Sequence, residues 1–244
     1  MKKFIILLLF PVLAFGQTNF DQVELLFQKK QFTEAEEQTV QILKSEPQNI
    51  KAIELLGDAY GHQKKWDEAL VQYKKLVELD PENANYHYKY GGVLGMNALE
   101  NKFKAIGLIG DVKTSFLKAA ELDKNHIDAR WALVELYMQL PGIFGGSKNK
   151  ALEFAQELEA LSKVDGYLAK GYIYEYDKDP ELAEKYYKKA IIEGGSLVCY
   201  DKLTKFYVAQ NESEKAIANL QDAYNKHRQE DLLLQIEHIK ENQR

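Results

Sequence analysis

The chain has 244 residues, 45% of them hydrophobic and 28% charged, with a formal net charge of −5. Nothing in that acidic balance suggests nucleic acid, whose phosphates demand a concentrated basic face, and no nucleic-acid partner is expected. A single cysteine, Cys199, excludes an internal disulfide, so stability must come from packing, with Cys199 read as a small buried hydrophobe in the apolar stretch 196–200.

Residues 1–16 read as an export signal. Lys2 and Lys3 form a basic start, Ile5 to Ala14 is an apolar run broken only by Pro11, and Ala14-Phe15-Gly16 offers small residues at both cleavage positions. The mature chain is expected to begin at Gln17. The run falls short of the roughly 20 residues that span a bilayer. No later stretch is continuously apolar, and no cysteine follows to carry a lipid anchor. The expectation is an exported protein, periplasmic or secreted, without stable membrane insertion, an uncleaved anchor being the lesser alternative.

Beyond the signal the chain repeats itself. Ala35 returns as Ala69, Pro47 as Pro81 and Gly57 as Gly91, a spacing of 34 residues on helix-type sequence. The clearest copy, 50–83, places Gly57 and Ala69 where two helices approach closely, Tyr60 and Tyr73 around them, and Pro81 where the helix must stop. A degenerate copy, 17–49, precedes it. The third, 84–126, keeps Tyr90, Gly91 and Leu94 in place but holds about nine extra residues around 97–110, too apolar for a free linker. The spacing predicts lengthened helices there, or an extra cap.

The fourth copy, 127–165, carries Leu133 and Tyr137 and then LPGIFGGSKNKA at 140–151, about five residues longer than a plain turn if Ala151 takes the small-residue position. A fifth, 166–196, is two residues short, and a sixth, 197–230, is in register. The tail, 231–244, with Leu232, Leu233, Ile236 and Ile239 at helical spacing, reads as the cap of a stack of helices.

Ile53, Leu56, Gly57, Tyr60, Ala69, Tyr73, Leu76 and Pro81 fall close to the signature of the tetratricopeptide repeat (TPR), and the chain resembles that family over nearly all of 17–244. The resemblance implies an all-α, right-handed TPR-type α-solenoid of about six helix pairs with a C-terminal capping helix. The segment 128–151 is also similar to a group of exported bacterial repeat proteins marked by PG-x-x-GGS-x-x-KA. A like segment occurs in the T component of TRAP-type transport systems, which implies the alternative of a carrier for a small apolar ligand.

The family's concave groove is lined by the second, fifth, ninth and twelfth residues of each first helix. Carried onto this chain, those positions give Lys51, Glu54 and Asp58; Asn85, Tyr88 and Gly92; Asp128, Trp131, Glu135 and Met138; then Tyr167, Lys170 and Tyr174. Aromatic and acidic groups dominate. No two successive units supply the Lys, Arg and Asn set that clamps a peptide carboxylate, so the expected ligand is an extended segment with apolar or basic side chains, anchored on Tyr88, Trp131 and Tyr174.

The Gly-rich loop lacks the order of a P-loop and the strand and last glycine of a nucleophile elbow. It reads as a turn with Ser147 capping the next helix. Gly142, Gly145, Gly146 and Ser147 are also candidate ligand contacts, since amides at a helix start can hold an anion. The five histidines show no metal-ligand spacing. With no cofactor or catalytic constellation indicated, the sequence points to a non-catalytic scaffold or adaptor for a protein or peptide, self-association staying open.

Overall fold

In the computed structural model the described residues are 15–100 and 102–241, with side chains from 20–100 and 106–241. The export signal expected at 1–16 lies outside them except for its last two residues, which open the first helix. All the regular structure described is helical, and two compact units, 1–122 and 123–244, divide the chain.

The first unit contains α1 (Phe15–Gln28), α2 (Phe32–Ser45), α3 (Ile50–His62), α4 (Trp66–Leu79), α5 (Ala84–Glu100) and α6 (Lys102–Leu122), each packed on its chain neighbour. The second contains α7 (Ile127–Gln139), α8 (Lys148–Leu161), α9 (Lys163–Tyr176), α10 (Pro180–Glu193), α11 (Leu197–Ala209), α12 (Ser213–His227) and α13 (Asp231–Glu241). Here the odd-numbered first helices also touch one another, α7 with α9 and α9 with α11. These are the expected six pairs and a terminal helix. Leu232 and Ile236 of α13 close the last pair by burying against Tyr200, Leu220 and Ala223.

Close approach within each pair depends on small residues. Ala35, Ala69, Ala151, Ala183 and Ala216 all have 0% exposure, and the N–H of each donates to the carbonyl of the residue that precedes its helix: Gln31, Lys65, Ser147, Asp179 and Glu212. Facing them, Gly57 leaves room for the Tyr73 ring, which would lie 3.0 Å from an added Cβ. Gly171 does the same for Tyr187, at 2.5 Å. The two rings are pinned by their hydroxyls, Tyr73 donating to Asp58 and Tyr187 to Glu175 at 2.5 Å. Burial and the adjacent carboxylates push both phenols well above the usual tyrosine range.

The turn inside four of the pairs repeats in backbone detail. Lys30, Lys64, Lys178 and Asn211 adopt positive φ of 58°, 58°, 61° and 59°. The following N–H then reaches back over the turn, from Gln31 to Leu26, Lys65 to Tyr60, Asp179 to Tyr174 and Glu212 to Tyr207, at 2.8–2.9 Å. This is the six-to-one closure of a helix C-terminus, built here without glycine.

Both expected insertions take definite form. The one around 97–110 lengthens a hairpin, giving α5 17 residues and α6 21 against 13 and 14 in α3 and α4. The other forms a 3-10 turn, Gly142–Phe144, followed by Gly145 at φ 91° and Gly146, whose Cβ would overlap the Leu140 carbonyl. Ser147 then caps α8 by accepting from the Lys150 N–H at 3.3 Å, and Ala151 takes the small-residue position as read.

The fifth copy needs a correction. Its first helix starts at Lys163, not near 166, and the Gly171–Tyr187 contact matches Gly57–Tyr73, so the register begins two residues earlier than the sequence reading placed it. The missing residues come from the junction. Ser162, extended at φ −149° and ψ 112°, is at once the last residue beyond α8 and the N-cap of α9, where its side chain accepts from Asp165 N–H at 3.3 Å. So short a link brings α9 down on α8, and a Cβ on Gly166 would sit 2.5 Å from the Glu159 backbone nitrogen.

Two stability effects are expected in denaturant melts. Gly166→Ala costs about 1–3 kcal/mol, more than Gly57→Ala, because the obstruction at Gly166 is backbone and the one at Gly57 is a side-chain ring. Lys64→Gly raises stability by about 0.5–1 kcal/mol by relieving the left-handed conformation, net of glycine's greater chain entropy.

Candidate functional site

In the first unit the acidic groove positions of α3 are held by a lysine of α5 that is not itself a groove position. Lys89 places its Nζ 2.8 Å from Glu54 Oε1 and 2.8 and 2.9 Å from the two Asp58 oxygens, and 5.7 Å above the Tyr73 ring. Burial opposes the charge on Lys89, but Asp58 and Glu54 together hold its pKa above the usual lysine range. Glu54 and Asp58, read from sequence as acids awaiting a basic ligand, therefore already hold a cation from the next helix. Tyr88 is half-buried and leans on Phe116 of α6, ring centroids 6.0 Å apart.

The second unit presents a different surface. Trp131 is half-buried, packs against the cluster built on Leu168, Tyr187 and Leu203, and donates from Nε1 to Asp165 Oδ1 at 3.0 Å. It bridges α7 and α9 at the groove position assigned to it, and part of its role is structural. One helical turn on, Glu135 is exposed and makes no hydrogen bond or ion pair among the described residues, although neighbouring protein shields part of its carboxylate from water. That shielding raises its pKa, with Lys202 of α11 pulling it back down. Tyr172 of α9 lies within reach of the Glu135 charge and accepts from Gln139 Nε2 at 3.3 Å. The corresponding face of α11 offers Val198 and Val208, 58% and 46% exposed, on either side of the Asp201–Lys205 pair.

Two candidates leave the groove. Lys170 turns to α8, donating to Gln156 Oε1 at 3.0 Å and to Glu159, and lies over the Tyr186 ring. Tyr174 stacks on Tyr186 with centroids 5.5 Å apart and planes 4° from parallel, with Lys148 Nζ 4.9 Å over its ring. The two-residue register shift is the reason. Asp165, Leu168, Tyr172 and Glu175 occupy the positions that had been given to the Tyr167 set. The seam of tyrosines and lysines between α8, α9 and α10, joined by Lys189 at 5.3 Å from both the Tyr167 and Tyr186 rings, went unread, although Tyr167 and Tyr174 stand two helical turns apart in the sequence.

The Gly-rich loop spends its own amides. Phe144 and Gly146 N–H donate to Pro141 O, Gly145 to Gly142 O, and Ser147 to Tyr137 O, at 2.9–3.2 Å. Gly142, Gly145, Gly146 and Ser147 thus form a closed turn, and the loop amides from 144 to 147 are not free to hold an anion. Beside it lies a shallow hollow of about 320 Å³, open to solvent, where Met138, Tyr137 and Tyr176 meet Lys148, Asp177 and Lys178. Its charged rim differs from the closed apolar chamber that a carrier of small apolar ligands would need. His126 caps α7 by accepting from Ala129 N–H, and His62 stacks on Phe32 at 4.2 Å. Among the described residues no group of His, Cys, Asp and Glu is arranged to hold a metal.

Comparison with known proteins agrees with this geometry. A TPR repeat family model matches residues 57–97 and a tetratricopeptide repeat model matches 164–191, one in each unit, the second starting where the corrected register does. No curated protein matches the chain by sequence. Among solved structures, a tetratricopeptide repeat protein from Parabacteroides merdae aligns at 15% identity over 86% of this chain and 79% of its own, with a TM-score of 0.62. A thermophilic TPR protein of Thermus thermophilus aligns at 16% identity over 78% of this chain and 98% of its own, TM-score 0.57. YrrB, described as a TPR protein with an unusual peptide-binding site, aligns at 18% identity over 74% and 87%, TM-score 0.52. The fold is a TPR-type α-solenoid.

Glu135 supplies a pH test of this site. Its raised pKa means that the folded chain holds the proton more tightly than the unfolded one, so the carboxylate costs stability above the ordinary carboxylate range and not below it. Glu135→Gln is expected to raise the thermal midpoint near neutral pH, with the gain fading once the pH falls below about 4, where the carboxyl is protonated in both states.

Proposed function

We propose that the chain is a non-catalytic scaffold, acting outside the cytoplasm, that binds an extended protein or peptide segment along the faces of α7, α9 and α11. The observation that carries this reading is Glu135, an exposed carboxylate without a hydrogen bond or ion pair, one helical turn from Trp131 and within reach of Tyr172, on a face that α11 continues with exposed Val198 and Val208. A lysine or arginine side chain supplies the charge that Glu135 lacks, while its apolar neighbours in the segment meet Tyr172, Val198 and Val208. The TPR fold, whose members bind proteins or peptides, supports the class of partner. The basic start and apolar run of residues 1–16 support export.

The test is fluorescence anisotropy against synthetic peptides that alternate aliphatic or aromatic residues with lysine, acidic peptides of the same pattern serving as controls. The wild-type chain is expected to prefer the basic set, and Glu135→Gln to weaken that binding by about tenfold, equivalent to about 1.4 kcal/mol. Equal binding of both sets, or an unchanged affinity in a folded Glu135→Gln variant, removes this reading.

A further inference from the structure

On the side of α11 turned away from the groove, α10 and α12 leave a hollow of about 430 Å³ between them. Its α11 wall is Tyr200, Leu203 and Tyr207, which stand roughly 150° around the helix from Val198, Asp201, Lys205 and Val208. At one end the charges close on themselves. Glu184 accepts from Lys188 at 2.6 Å, from Lys215 at 3.1 Å and from the Tyr207 hydroxyl at 3.0 Å, and Lys215 also reaches Glu212 at 2.9 Å. Burial opposes the Glu184 charge, yet Lys188, Lys215 and Tyr207 hold its carboxyl below the usual carboxylate range. Two lysines there face two carboxylates, and that end is neutral.

Further along α12 the acceptors are left open. Asn219 is 8% exposed and spends both amide protons on α11, donating to the Tyr200 carbonyl at 2.9 Å and to Thr204 Oγ1 at 2.8 Å. An amide held by its nitrogen turns its oxygen the other way, and Asn219 Oδ1 accepts no bond among the described residues. One turn on, Asp222 lines the same hollow, is exposed, and makes no hydrogen bond or ion pair among the described residues. Lys226, the next basic residue of α12, carries its Nζ beside Gly195 instead. Burial pushes the Tyr200 phenol up and the Asp222 charge adds to that, so the carboxylate is felt inside the hollow. Two open acceptors one helical turn apart, one unpaired negative charge and an apolar wall of Ile191, Ile192 and Leu203 suit a flat cation on an aliphatic stem. A guanidinium donates along two edges of one plane and serves both acceptors, whereas an ammonium is a single point. We propose that the hollow between α10 and α12 binds an alkylguanidinium group, its stem along the isoleucines and its head shared between Asn219 Oδ1 and the Asp222 carboxylate.

This site lies across α11 from the peptide face and does not rest on the reading above. The experiment is methyl NMR of the full-length chain labelled at isoleucine, titrated separately with n-butylguanidinium, n-butylammonium and a capped peptide that carries a single arginine. Shifts are expected at Ile191 and Ile192, with n-butylguanidinium binding at least about fivefold more tightly than n-butylammonium and about tenfold more weakly in Asp222→Asn. Glu135→Gln leaves these shifts unchanged, which separates the hollow from the groove. A peptide that binds at least as tightly as n-butylguanidinium upholds the proposal and assigns the site to an arginine of a protein partner; weaker binding of the peptide upholds it for a free small cation. Equal affinities for the two butyl cations, no shift at Ile191 and Ile192, or an undiminished affinity in a folded Asp222→Asn variant overturns it.

Discussion

Two helices lying almost on each other's backbones is the condition from which the rest of this molecule follows. Helix pairs held that closely tolerate only hydrogen or methyl at the crossing, which explains five alanines with 0% exposure and glycines lying beneath Tyr73 and Tyr187. The large ring across from each small residue fills the remaining space, and its hydroxyl, carried to the edge of the pair, meets Asp58 or Glu175. A packing rule thus produces an electrostatic one. At the first of these pairs the carboxylate, Asp58, is also shared with the next repeat through Lys89.

How each repeat disposes of that negative charge separates the two units. In the first, Lys89 satisfies Glu54 and Asp58 together, and Lys65 reaches Glu36 at 2.7 Å. In the second, Lys170 serves Glu159, and Arg130, 3% exposed, is held by Glu157 at 2.8 Å and by the carbonyls of Asp123 and His126. A buried cation paired as fully as Arg130 fixes register between helices more than it adds stability. Glu135 stands apart because Lys202 tempers its pKa without forming a bridge. On the face of α7 and α9 that leaves an acid available to something outside the chain.

Small residues, tyrosines and the position of Pro81 made the pairs legible in the sequence, because the helix crossing constrains residue size directly and size is visible in the letters. Ala151 and the lengthened α5–α6 hairpin followed from the same count. The turns within the pairs were hidden: a left-handed residue is usually announced by glycine, and here Lys30, Lys64 and Lys178 take the conformation. The junction before α9 was hidden too. Ser162 does the work of a whole loop, and a count that assumed an ordinary link shifted Lys170 and Tyr174 into the groove and Tyr172 out of it. Gly171 with Tyr187 held the correct register all along, at the same mutual spacing as Gly57 with Tyr73. As for Glu54 and Asp58, their types were legible but not that Lys89 would neutralise them, since pairing depends on which rotamers two neighbouring helices leave open.

The single-residue junction at Ser162 also has a mechanical side. A stack of helix pairs bends by small rotations distributed over its links, and a link of several residues can absorb them through its torsions. Between α8 and α9 there is one extended residue, committed to capping, and a glycine seated against the backbone of the helix below. Flexing there would have to break a cap and pry two main chains apart at once. The α8–α9 corner therefore behaves as a strut, and the second unit must yield at its other joints, which include those that carry Val198 and Val208 towards or away from Glu135.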